Sequence, residues 1–220
     1  MTELIVALDG NADEIAIVFR RIHRERLTTW FKVGPQLLLQ HSGMILVENM
    51  LHEGEANLFV DAKLYDTRDT VYETARLAFV EVGARFLSVH ATPSMLEAAM
   101  RAKPAGDRCK VLAVGPLTDG ANPIWQARLS LAEMPCDGFI CPSVGHLALW
   151  RDILRREDRT GILVCPGIRP AIWPNDDNHT DPATPAEAKA AGADYIVVGR
   201  PIYSAPDPVA AARAIVEELR

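Results

Sequence analysis

Leu58-Phe59-Val60-Asp61-Ala62-Lys63-Leu64-Tyr65-Asp66 is an apolar run that ends in three charges. Read as a β-strand, its side chains alternate between two faces, so Asp61 and Lys63 point the same way. A carboxylate and an ammonium directed together into a barrel interior or a cleft are costly to desolvate unless they pair. Asp66 follows three positions after Lys63, beyond the expected strand end. Carboxylate, ammonium, carboxylate is a proton-handling set. After Thr70 the apolar spacing changes to that of a helix, at Leu77, Val80 and Val82, and then returns to a strand-like run at Phe86–Ala91.

The same alternation extends in both directions from this segment. The further strand candidates are Leu4–Asp9, Trp30–Gly34, Lys110–Pro116, Gly138–Pro142, Gly161–Gly167 and Tyr195–Gly199. Helical spacing recurs between them, as at Ile15, Val18, Phe19 and Ile22. Thr92-Pro93 and Thr184-Pro185 suit an N-cap followed by proline at the first helical position, and Gly83 and Gly192 fall where helices should stop. Eight strands alternating with helices specify a parallel α/β protein, and that number favours a closed (β/α)8 TIM barrel over an open sheet. The first strand is followed by Asp9-Gly10-Asn11, without the glycine-rich turn of a dinucleotide fold. No linker or repeat divides the chain, so residues 1–220 are expected to form one barrel domain. Residues 169–184 read as a polar lid loop; Arg169 to Ala183 holds three prolines, three aspartates, two asparagines and a histidine.

The composition is that of an ordinary globular protein, with 49% hydrophobic and 24% charged residues over 220 positions. A net charge of −6 counts against nucleic acid or an anionic membrane as the main partner. No apolar run approaches a membrane span, and the first apolar stretch has no basic leader, so a cytoplasmic location is expected. Cys109, Cys136, Cys141 and Cys165 form no CxxC pair and read as buried, reduced thiols. Without His or Cys at ligand spacing, no metal site is expected.

Active sites of such barrels form at the carboxyl ends of the strands. Those ends carry Asp9, Lys32, Asp61 with Lys63, His90, the Gly115–Asp119 stretch, Pro142-Ser143, Pro166-Gly167 and Gly199-Arg200. Any one of these could be a solvated strand end, but that reading weakens when several converge on one rim. The loops after strands seven and eight are the common phosphate site of the architecture. There Gly199 permits close backbone approach and Arg200 offers a bidentate fork.

Several of these segments together carry a resemblance. Asp9, Phe31-Lys32-Val33-Gly34, the DxKxxD signature at Asp61–Asp66, Ser88-Val89-His90-Ala91, Pro166-Gly167-Ile168-Arg169-Pro170 and Val198-Gly199-Arg200-Pro201-Ile202 are similar, in order and spacing, to the orotidine 5′-phosphate (OMP) decarboxylase family. The resemblance runs from residue 4 to residue 202. DxKxxD alone marks a wider suprafamily that includes 3-keto-L-gulonate 6-phosphate decarboxylase and hexulose-6-phosphate synthase. In those sugar-phosphate members the second-strand position holds a magnesium-binding glutamate, whereas here it holds Lys32.

The resemblance implies decarboxylation of OMP to UMP and carbon dioxide, with neither metal nor organic cofactor. It implies that Asp61 lies beside the departing carboxylate and that Lys63 protonates pyrimidine C6. Lys32 and Asp66 complete the charge array, with Asp66 and Thr70 reaching across from a second subunit of a homodimer. Asp9 binds the ribose, and Thr118, Asp119, Pro166, Gly199 and Arg200 make up the rest of the nucleotide site. Two carboxylates about 4 Å apart repel by about 4 kcal/mol at an effective dielectric near 20, a repulsion relieved as carbon dioxide leaves.

Three departures bear on specificity. The family's Leu-Thr-Ser after strand five is Leu117-Thr118-Asp119, and an ionised aspartate cannot donate to a pyrimidine amide. Its Asp-Ile-Pro-Asn-Thr is Asp66-Thr67-Arg68-Asp69-Thr70, and the lid has no glutamine, with Asn178 or His179 the nearest stand-in. The alternatives are therefore a related DxKxxD decarboxylase or aldolase on another phosphorylated substrate, such as 3-keto-L-gulonate 6-phosphate, and a nucleotide-binding protein without catalysis. His90 reads as a supporting or core histidine, and His41, His52 and His146 as surface residues. Trp30, Trp125, Trp150 and Trp173 read as packing residues, although Trp173 on the lid could cover a bound base.

Overall fold

Eight strands, all parallel, close in chain order into a barrel: β1 (Glu3–Ala7), β2 (Trp30–Val33), β3 (Asn57–Leu64), β4 (Phe86–His90), β5 (Lys110–Val114), β6 (Gly138–Ile140), β7 (Ile162–Cys165) and β8 (Tyr195–Val198). The computed structural model describes residues 1–52, 56–106, 108–115, 134–171, 173 and 182–220. Each strand expected from the sequence is present. Most stop one or two residues short of the apolar run, because the last residues of the run already turn into the loops that form the rim.

The described helices are α1 (Ala12–Arg24), α2 (Pro35–Leu38), α3 (His41–His52), α4 (Arg68–Val80), α5 (Pro93–Arg101), α6 (Val144–Arg156), α7 (Pro185–Ala190), α8 (Arg200–Tyr203) and α9 (Pro208–Glu218). Their starts follow capping chemistry: the Asn11 side chain accepts from the N–H groups of Asp13 and Glu14, and Thr184 forms a reciprocal capping box with Glu187. Thr92 is an N-cap without a side-chain hydrogen bond. Gly83 and Gly192 lie just beyond α4 and α7 with φ of +66° and +92°, which is why glycine stands there. No described helix is long and apolar enough to cross a membrane.

Burial on both faces of the strands creates two apolar layers. One lies between barrel and helices and includes Leu4, Val6, Phe31, Val33, Leu58, Val60, Leu87 and Val89. The other fills the lumen, with Ile5, Ala7, Phe59, Phe86, Leu112, Val164 and Val197. Trp30 closes the amino-terminal end of the lumen against Phe86 at 4.3 Å and Tyr195 at 5.0 Å between ring centroids. Trp150 is buried and stacks on Phe139 at 3.8 Å, while Trp173 is half-buried. Trp125 lies outside the described residues. Cys109, Cys141 and Cys165 are buried and Cys136 is half-buried, with burial pushing its thiol up to about 12.

Two expectations are corrected. The inward face of α4 carries Val71, Ala75, Ala78 and Phe79, whereas Leu77 and Val80 are exposed at 45% and 54%. Leu77 and Val80 therefore do not mark the buried face, half of which is alanine. His146 is half-buried rather than on the surface, because its Nδ1 lies 2.7 Å from Oγ of Ser143, the N-cap of α6.

Candidate active site

The apolar filling of the lumen gives way at its carboxyl end to charge. Lys32 and Asp61 are both 8% exposed; each follows an apolar pair or triplet on its strand, Trp30-Phe31 on β2 and Leu58-Phe59-Val60 on β3. Lys32 Nζ donates to Asp9 Oδ1 at 2.9 Å and lies 3.6 Å from Asp61 Oδ2. Lys63 Nζ donates to the same Asp61 oxygen at 2.7 Å. The other Asp61 oxygen accepts a 2.7 Å hydrogen bond from the buried Ser88 hydroxyl. Asp9, Lys32, Asp61 and Lys63 thus form one chain of alternating charge, in which each buried ion has a partner to offset its desolvation.

Electrostatics follow from that packing. Burial acts to raise the Asp61 pKa, but the ammonium groups of Lys32 and Lys63, together with hydrogen bonds from Lys63 and Ser88, hold it below its ordinary 3.8. His90, half-buried at the end of β4, is pushed below 6.5 by burial and by the Lys63 ammonium. Its ring meets Tyr65 edge-on at 5.3 Å. At neutral pH it is an uncharged neighbour of Lys63.

Lys63 has a backbone φ of +46°, rare for a residue with a side chain. Phe59 and Val60 pair with Phe86 and Leu87, but the next pair is Leu64 with Val89, so β3 bulges between Val60 and Leu64. Plain alternation put Asp61 and Lys63 on one face. They do meet, but on a bulged strand, and such irregularities gather beside active sites.

The charged array shares a cavity of ≈ 270 Å³ with Pro166, Gly167 and Arg169 after β7 and Gly199 and Arg200 after β8; Ala7, Val197 and Tyr203 complete the lining. Arg169 is buried and Arg200 exposed. A Cβ added at Gly199 would come within 3.3 Å of Tyr203 and 3.4 Å of Ala7, so a larger residue would crowd this wall. Burial and the nearby Asp9 raise the Tyr203 pKa above 10.0 against the pull of Arg200, Arg169 and Lys32, so its hydroxyl stays a donor. Larger cavities of ≈ 450 and ≈ 400 Å³ lie elsewhere, but neither sits at the carboxyl ends of the strands with a lysine–carboxylate array in its lining.

The expected residues thus divide into three groups. Asp9, Lys32, Asp61, Lys63, Pro166, Gly199 and Arg200 converge on one cavity. Asp66 and Thr70 are exposed and line a separate cavity of ≈ 310 Å³ on the outer side of Lys63. Asp66 accepts from the Thr67 N–H at 2.6 Å, and Thr67 is the N-cap of α4, which gives a local reason for threonine there. Thr118, Asp119, Asn178 and His179 lie outside the described residues. Sequence reasoning did not single out Ser88, Arg169 or Tyr203 as site residues. Arg169, inside the quoted Pro166–Pro170 run, was the most accessible to such reasoning.

Fold and site together define a (β/α)8-barrel enzyme that works from its carboxyl rim with a lysine–carboxylate array centred on the buried Lys32 and Asp61. The chain belongs to the orotidine 5'-phosphate decarboxylase / HUMPS family, whose model matches residues 2–215. It is 36% identical over 231 residues to the orotidine 5'-phosphate decarboxylase of Methylorubrum populi, covering 98% of this chain and 94% of that one. The orotidine 5'-phosphate decarboxylase structure from Lactobacillus acidophilus superposes with a TM-score of 0.76 at 30% identity, covering 100% of both chains. That from Pyrococcus horikoshii OT3 gives 0.77 at 26% identity, over 99% of each.

Proposed function

We propose that this chain decarboxylates orotidine 5′-phosphate to UMP and carbon dioxide in pyrimidine biosynthesis, without metal or organic cofactor. The observation that carries the reading is one cavity lined both by the Asp9–Lys32–Asp61–Lys63 array and by Arg169, Gly199 and Arg200. That combination of groups suits a phosphate held by the arginines and glycine backbone, with the base over the lysines. The substrate carboxylate would sit against Asp61. As the C6–carboxylate bond breaks, its electron pair stays on C6, carbon dioxide departs, and Lys63 supplies the proton. Solvent then returns a proton to Lys63. The preorganised ammonium stabilises the forming carbanion at no reorganisation cost.

Lys32 also supports this substrate over a sugar phosphate. Its ammonium sits between Asp9 and Asp61, where a divalent cation would have to displace it. The exposure of Asp66 and Thr70, away from the array's cavity, supports a homodimer in which each subunit lends these residues to the other's site. Thr118 and Asp119 would contact the pyrimidine. On this reading residues 1–220 act as one barrel domain; most of the lid expected at 169–184 lies outside the described residues. The ends of that segment are tied, since the Arg169 N–H donates to the Ala183 carbonyl at 2.8 Å.

The test is incubation of the purified protein with OMP, following loss of the orotate chromophore and appearance of UMP by chromatography. UMP formation unaffected by a chelator is expected. Tight UMP binding without OMP consumption would overturn the catalytic reading, and magnesium-dependent turnover of 3-keto-L-gulonate 6-phosphate would overturn the substrate.

A further inference from the structure

The pairing of β3 with β4 breaks at the charged array, and a single side chain bridges the break. Between the pairs Val60–Leu87 and Leu64–Val89, β3 carries Asp61, Ala62 and Lys63 while β4 offers only Ser88. The Lys63 N–H donates to Ser88 Oγ at 2.9 Å. Ser88 Oγ in turn donates to Asp61 Oδ1 at 2.7 Å. One hydroxyl therefore holds the backbone of one member of the array and the side chain of another.

We propose that Ser88 is a positioning residue: its hydroxyl fixes Asp61 and Lys63 relative to each other, and proton delivery by Lys63 depends on it. The inference rests on the decarboxylase reading for its catalytic consequence but not for its geometry.

The hydrogen-bond accounting leaves Ser88 no alternative arrangement. A serine hydroxyl has one proton and two acceptor sites. The Lys63 N–H occupies an acceptor site, and an ionised Asp61 can only accept, so the proton is committed to Asp61 Oδ1. Oδ2 is thereby left facing Lys63 at 2.7 Å and Lys32 at 3.6 Å. Removing the hydroxyl would free the carboxylate to rotate and would leave the Lys63 N–H without its acceptor. That N–H belongs to the residue at φ +46°, whose backbone needs surrounding contacts to persist.

Packing alone does not call for a hydroxyl here. Ser88 is fully buried on the lumen side of β4, above Phe86 and below His90. Its neighbours along the strand, Leu87 and Val89, pack outward into the helix layer. An alanine would satisfy the space, as Ala7 does elsewhere in the lumen.

The experiment compares wild type with Ser88→Ala and Ser88→Thr by thermal melting, by amide hydrogen exchange at Lys63 read by NMR, and by kcat and KM with OMP. Ser88→Ala is expected to melt cooperatively and to exchange the Lys63 amide about 10-fold faster or more. Its kcat should fall about 10- to 100-fold, the worth of a hydrogen bond to a charged group, with KM within about threefold. Ser88→Thr keeps the hydroxyl and should restore most of kcat. If Ser88→Ala fails to fold, Ser88→Cys, close in volume and a weak donor, must show the same signs. Unchanged Lys63 exchange, a kcat within threefold of wild type, or a loss confined to KM would overturn the proposal. A wild type that leaves OMP untouched would instead overturn the decarboxylase reading, and the exchange measurement would still decide whether Ser88 holds Lys63.

Discussion

Replacing Asp61 by asparagine removes the central anion of the array while keeping its size and its acceptor for Ser88. The Asp61 side chain is 10% exposed and meets Lys63 at 2.7 Å and Lys32 at 3.6 Å. A charge left buried without its partner costs about 3–5 kcal/mol. Here the cost is smaller, because Lys32 keeps Asp9 at 2.9 Å and Lys63, 38% exposed, regains water. Relief from desolvating the carboxylate lowers it further, giving a net loss of about 2 kcal/mol at neutral pH. In a domain of this size that is a drop of about 4–8 °C in Tm. The sign with pH follows from the depressed pKa. The ionised Asp61 stabilises the fold fully above its ordinary 3.8 and loses that contribution as pH falls through its lower folded value. Paired thermal melts at pH 7 and at successively lower pH should therefore show a gap that is complete at pH 7 and narrows only below 3.8. A variant that melts at or above wild type at pH 7 would refute the reasoning. It would mean that the array is strained before substrate arrives.

Arg200→Ala should raise KM for OMP about 10-fold or more and abolish thermal protection by UMP, because it removes the exposed half of the arginine pair; unchanged protection in a melting assay would remove Arg200 from the phosphate site. Mixing inactive Lys63→Ala and Asp66→Ala chains should restore OMP turnover, since one site of the mixed dimer then holds both intact residues; no recovery after subunit exchange would mean that Asp66 serves its own chain. The His90 ring should titrate below 6.5 by NMR, the direction that burial and Lys63 impose; a midpoint at or above that value would remove the proximity to a charged Lys63.

The strands were the most legible part of the chain, because a parallel strand buried on both faces leaves a short, continuous apolar run. Leu4–Leu8 and Tyr195–Val198 read as strands from composition alone. The helix faces were less so. In α4 two of the four buried positions are the alanines Ala75 and Ala78, which carry little hydropathy signal, while Leu77 and Val80 draw attention and are exposed. At the site, charges ending apolar strands pointed to Asp9, Lys32, Asp61 and Lys63. The β3 bulge and the role of Ser88 were not legible, because both arise from register with a neighbouring strand, and a lone serine between Leu87 and Val89 carries no local signal. Tyr203 was hidden for a similar reason: it joins the cavity only because the turn of α8 returns its ring to Gly199.

The central claim is that Lys63 delivers the proton that replaces the carboxylate. It is tested most directly by kcat for OMP conversion to UMP in Lys63→Ala against wild type, with UMP affinity measured on both. The account predicts a loss of about 10³-fold or more in kcat, within the range a positioned acid contributes, on a protein that still folds and binds UMP. A variant retaining kcat within about tenfold of wild type would contradict it.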